Sequence, residues 1–106
     1  MTNQTVAKLF NGKVIRFHVN PGNRHNIEHM FSIKGSQELM GLVRVHNIIY
    51  TYSSIQPGIT VDVLLKYKEA VATIPFGWIN LNSLELCEEA DEICFKLEIE
   101  DEIKHL

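Results

Sequence analysis

Over most of this 106-residue chain, hydrophobic and polar positions alternate with a period of two, and one stretch of helical spacing interrupts them. Residues 5–10 and 13–19 flank Asn11-Gly12. An Asn-Gly pair between alternating segments predicts a β-hairpin, because both residues tolerate positive φ. In the second strand Ile15, Phe17 and Val19 face the core, while Val14, Arg16 and His18 point the other way. Asn20-Pro21-Gly22-Asn23 ends that strand, since proline lacks a ladder donor. From Arg24 to Ile33 the period changes. At about 100° per residue, Ile27, Met30, Phe31 and Ile33 gather on one side and His25, Glu28, His29 and Ser32 on the other. That spacing predicts a short amphipathic helix ended by Gly35.

Residues 39–52 are rich in β-branched and aromatic side chains, but their apolar parity shifts from Val43 and Val45 to Ile48, Tyr50 and Tyr52. A flat strand does not change parity, so a β-bulge or a tight turn is expected at His46-Asn47. After the turn signal Gln56-Pro57-Gly58 comes the cleanest alternation in the chain, with Ile59, Val61, Val63, Leu65 and Tyr67 set against Thr60, Asp62, Leu64, Lys66 and Lys68. A partner strand follows at Val71–Ile74 and stops at Pro75 and Gly77. Asn82 to Ala90 reads as a second short helix, with Asn82 as N-cap and Glu85 completing a weak capping box. Ile93, Phe95, Leu97 and Ile99 then alternate with Cys94, Lys96, Glu98 and Glu100, which predicts a last strand. The expected architecture is α+β and mostly antiparallel sheet, with a small partly closed β-barrel as the alternative.

Composition changes this picture little. A chain of this length, 45% hydrophobic and 22% charged, is expected to form one self-sufficient globular domain over residues 1–106. The amino-terminal residues lack the apolar run of a secretory signal, and nowhere do about 18 consecutive apolar residues occur. Cys87 and Cys94, with six residues between them, match neither a CxxC pair nor a disulfide framework, so both read as free thiols in a reducing cytoplasm. Charge distribution is more informative. Residues 85–106 hold nine acidic residues and two lysines, net −7, whereas residues 1–84 hold eight basic and four acidic residues, net +4. Either an acidic end meets a partner, or the two parts neutralise each other in the fold.

Four sets of residues are candidates for chemistry. His25-Asn26-Ile27-Glu28-His29 fits the H-x-x-E-H pattern of the inverted zinc peptidases, in which two histidines one turn apart bind zinc and the glutamate acts as base. The helical projection sets both histidines opposite the apolar stripe, facing water, and the chain has little room for a third ligand and a cleft. A metal-dependent hydrolase is therefore not expected. Second, Arg16, His18, Arg44, His46, Lys66 and Lys68 all point outward in mid-strand. On neighbouring strands they would form a cationic face for an anionic small molecule or nucleic acid, unless Glu98 and Glu100 neutralise it.

Third, Phe76 and Trp78 lie in a segment made irregular by Pro75 and Gly77 and could either anchor a partner or cap the sheet. Fourth, Glu98, Glu100, Asp101 and Glu102 end the chain on an acidic surface suited to partner choice and fast association. There is no G-x-S-x-G elbow and no glycine-rich phosphate loop, and no cofactor is expected. The expected function is non-enzymatic binding or regulation through a protein interface formed by the acidic carboxyl-terminal region and the Phe76–Trp78 loop, with self-association as a possible form of it. Binding of an anionic ligand or nucleic acid on the basic sheet face is the alternative.

Overall fold

The computed structural model describes residues 2–34, 36–48, 58–67 and 70–104, the side chains at 47, 48, 58, 67 and 102–104 excepted. It is an α+β globule built on a five-stranded antiparallel open sheet. The strands are β1 (Val14–Phe17), β2 (Leu39–Ile48), β3 (Gly58–Tyr67), β4 (Ala70–Pro75) and β5 (Glu85–Leu86), in the order β4-β3-β2-β1-β5. Helices α1 (Asn3–Phe10) and α2 (Arg24–Phe31) lie on one face and α3 (Glu89–Lys104) on the other. The end strands β4 and β5 do not meet, so the barrel alternative does not apply.

The predicted first strand is instead α1. Thr2 caps it by accepting a hydrogen bond from the Thr5 amide, and Val6 and Phe10, one turn apart, turn inward to the core. Asn11-Gly12 does make a turn, with Gly12 at φ 75°, but it ends a helix and sends the chain into β1. Gly12 donates its amide to the Val43 carbonyl at 2.9 Å, which sets β1 beside β2.

Ile15 and Phe17 are fully buried as expected, and Val19 continues the line through an isolated bridge to Ile79. Val14, assigned to the outer face, is equally buried because α3 covers that side. Helix α2 forms where helical spacing begins, burying Ile27 and Phe31, but Met30 stays 41% exposed. Ser32, at φ 55°, supplies the left-handed cap that was expected from Gly35, which lies outside the described residues.

Strand β2 pairs with β3 without interruption from Gly41↔Leu65 to Ile48↔Gly58, so His46-Asn47 holds neither bulge nor turn. Residues 49–57 lie outside the described set, and so do Tyr50 and Tyr52, the side chain of Tyr67 and Lys68, on which further expectations fall. On β3 the inward row Val61, Val63 and Leu65 is buried as read, and β4 joins it from Tyr67↔Ala70 to Asp62↔Pro75. Leu64, read as outward, is 6% exposed beneath α3.

The carboxyl-terminal quarter departs most from expectation. Asn82 does not cap a helix. Residues 81–83 form a single 3-10 turn capped by Asn80, and Glu85-Leu86 pair with Arg16 and Ile15 as an edge strand. The helix starts later, with Glu89, Asp91 and Glu92 in its first turn where the helix dipole favours acids, and it takes the place of the expected last strand. Phe95 and Ile99, one turn apart, pack with Val14 and Leu64 in a second, smaller core. Ile93 and Leu97 point away from it. Apolar residues on two opposite sides of a helix also produce an alternating sequence, which is why the segment reads as a strand.

Candidate functional site

Helix α3 combines much of the acidic quarter of the chain with an exposed apolar pair. Phe95 and Ile99 are fixed against the sheet, so the residues about half a turn away face solvent. They are Ile93 and Leu97, 52% and 56% exposed and one turn apart, with exposed Ala90 continuing the stripe by three residues.

The flanks of α3 carry its charge. On the sheet side Arg16 Nη2 donates to Asp91 Oδ2 at 2.5 Å, and Lys66 Nζ lies 3.8 Å from Glu98 Oε2. The bond to Asp91 raises the Arg16 pKa further above the ordinary arginine value. Within the helix Lys96 donates to Glu92 at 2.9 Å, and that bond lowers the Glu92 pKa below the ordinary carboxyl value. The outer carboxylates Glu85, Glu88, Glu89, Glu100 and Asp101 have no cation partner among the described residues. Of the expected acidic contact residues, Glu98 is turned toward Lys66, Glu100 and Asp101 are exposed, and the Glu102 side chain is outside the described set.

The expected cationic face takes a definite form. Arg16, Arg44, His46 and Lys66 do share the α3 side of the sheet, and each has a carboxylate beside it. Beyond the reach of α3, Asp62 is held between Arg44 Nε at 3.0 Å and His46 Nε2 at 2.6 Å, and Arg44 also donates to Thr73 Oγ1. His18 is drawn out of this set, with its Nδ1 3.0 Å from the Ser36 carbonyl and its amide donating to Ser83 Oγ.

Phe76 and Trp78 separate in role. Phe76 is 8% exposed and stacks on Phe10, ring centroids 6.4 Å apart, so it belongs to the core. Trp78 is half-buried. Its carbonyl accepts from the Asn20 amide at 2.7 Å, and the residue borders a groove of about 510 Å³ with His25, Asn26, His29 and Met30. His25 and His29 are exposed, as the projection expected, and Glu28 Oε2 lies 3.9 Å from His25 Nδ1. Among the described residues no three His, Cys, Asp or Glu side chains are grouped as a metal site. A second cavity, about 480 Å³ near Asn80, is lined by no titratable or nucleophilic side chain.

Both cysteines are free. Cys94 is exposed on α3, whereas burial raises the Cys87 thiol pKa above its ordinary value, an effect that Arg16 partly opposes. Sequence reasoning missed Ile93 and Leu97, which it assigned to the core, and did not join Met30 to the histidines and tryptophan. Projecting residues 90–104 at helical spacing would have exposed the first error, because it puts Phe95 and Ile99 opposite Ile93 and Leu97. No family model, curated protein or solved structure matches this chain.

Proposed function

We propose that this chain is a non-enzymatic binding protein whose contact surface is the outer face of α3, and that its partner is a basic amphipathic helix. The observation that carries the reading is the exposed Ile93–Leu97 pair, set opposite the buried Phe95–Ile99 pair and flanked by carboxylates without cation partners among the described residues. An apolar stripe with residues one turn apart can pack against the apolar face of a partner helix, and Lys or Arg at the partner's margins complements the acidic flanks. A second copy of the chain fits less well, since pairing two α3 faces would bring like charges together. The cationic sheet residues already sit beside Asp91, Glu98 and Asp62, which weighs against anion binding there. Two free thiols fit a reducing compartment, and we place the protein in the cytoplasm on that ground. No helix among the described residues is long and apolar enough to cross a membrane.

A synthetic Leu/Lys helical peptide with leucines one turn apart is a suitable probe. The native chain is expected to bind it in a salt-sensitive way. I93S/L97S, which keeps every charge, is expected to weaken binding at least about tenfold, since two such side chains bury more than the about 1.4 kcal/mol that a factor of ten requires. E89Q/E100Q/D101N is expected to flatten the salt dependence. Equal binding by I93S/L97S would overturn the reading, as would a homodimer that those two substitutions dissolve.

A further inference from the structure

The groove bordered by His25, His29, Met30 and Trp78 lies on α2, on the opposite face of the sheet from α3, and the interface reading makes no use of it. Its lining is chemically selective. His25 and His29 stand one turn apart on an exposed helix face, the spacing at which two imidazoles can reach one ion. Met30 is 41% exposed, although the apolar stripe of the helix is buried through Ile27 and Phe31, and its unbranched thioether side chain is intrinsically flexible. Trp78 borders the same space. No carboxylate and no thiol lines the groove, and Glu28 Oε2 lies 3.9 Å from His25 Nδ1.

Hard cations such as magnesium and calcium need carboxylate and carbonyl oxygens, and structural zinc asks for four ligands drawn from thiolate, imidazole and carboxylate. Two imidazoles and a thioether are a set that cuprous copper accepts, because soft thioether selects Cu(I) and imidazole suits copper. An aromatic face attracts a cation placed over it, most strongly when the ring is indole. We infer that this groove is a binding site for a soft monovalent metal ion, cuprous copper, held by His25, His29 and the Met30 thioether beside the face of Trp78. The step is binding alone, with no change of oxidation state, and each imidazole contributes one neutral nitrogen.

Silver(I) nitrate is a redox-inert probe for such a site, and Trp78 is the only tryptophan in the chain. Titration is best done in the C87S/C94S variant, so that no thiol competes for the ion. One equivalent of silver is expected to quench or shift Trp78 emission and to move the His25 and His29 ring signals in NMR spectra. M30L conserves volume at an exposed position, so the fold should hold while affinity falls at least about 10-fold, since even a supporting partner of a metal ligand is worth about 10- to 100-fold. H25A/H29A should abolish saturable binding. The inference is overturned if silver leaves Trp78 emission unchanged, if M30L and H25A/H29A bind as the parent does, or if zinc(II) binds as tightly as silver. None of these outcomes bears on the α3 interface, whose test uses different residues.

Discussion

Gly41 occupies a buried position in β2 where only hydrogen fits beside β3. A Cβ there would meet Val63 Cγ1, Leu65 Cδ2 at 2.8 Å and the Leu64 carbonyl oxygen at 3.3 Å. Two of these neighbours are buried side chains with little room to yield. G41A is expected to destabilise the protein by about 1–3 kcal/mol, the usual penalty of overpacking, measured as a lower urea midpoint at unchanged slope. The cysteines give a second residue-scale test. Cys94 is exposed, whereas Cys87 is half-buried and its thiolate disfavoured by desolvation. Near pH 8 a thiol reagent should react first with Cys94, and C94S should remove the fast phase and leave a slow one that quickens as pH rises. The Asn11-Gly12 turn and the inward set Ile15, Phe17, Val19 and Val63 are legible in the sequence, because local chemistry decides them. The acidic partner of Arg16 is not legible, since Asp91 reaches it only through the packing of α3.

Among the elements, α3 separates the two readings of the carboxyl-terminal segment most sharply. A strand would have buried Phe95 and Leu97 alike, but the helix buries one and exposes the other. F95A is therefore expected to cost about 3 kcal/mol and L97A no more than about 0.5 kcal/mol, read from chemical denaturation of the two variants side by side. The Glu92–Lys96 pair adds a pH signature. Its hydrogen bond holds the folded-state pKa of Glu92 below the unfolded value, so the stabilisation is present above the ordinary carboxyl range and is lost as pH falls through the folded value. E92Q should cost about 0.3–0.5 kcal/mol at neutral pH, with parent and variant converging in melting temperature under strongly acidic conditions. Helix α2, strands β3 and β4 and the α+β class follow from period and turn signals. Helix α1 and the α3 segment were misread because so short a run, or one apolar on two sides, satisfies both periods.

At the scale of the molecule, the sheet is covered unequally. Among the described residues the α1 and α2 side holds fourteen buried core residues and the α3 side four. The α3 layer is thus the more weakly held, and its amides are expected to exchange with deuterium at lower opening free energy than those of β2 and β3; equal protection would contradict this. The charge split along the chain also resolves in space. Part of the acidic quarter lies over Arg16 and Lys66 and is neutralised there, and the rest faces outward. Neither outcome excludes the other, as the sequence alone had suggested.

The sheet ends at β4, whose outer backbone edge runs from Ala70 to Pro75 with no charged side chain along it. Such an edge is a template onto which another extended segment can add, and charges or prolines are what usually block growth. Pro75 guards one end of it. Recovery on refolding should therefore fall as protein concentration rises, and a lysine introduced at Ala70 should restore it by acting as a gatekeeper against fibril-like stacking.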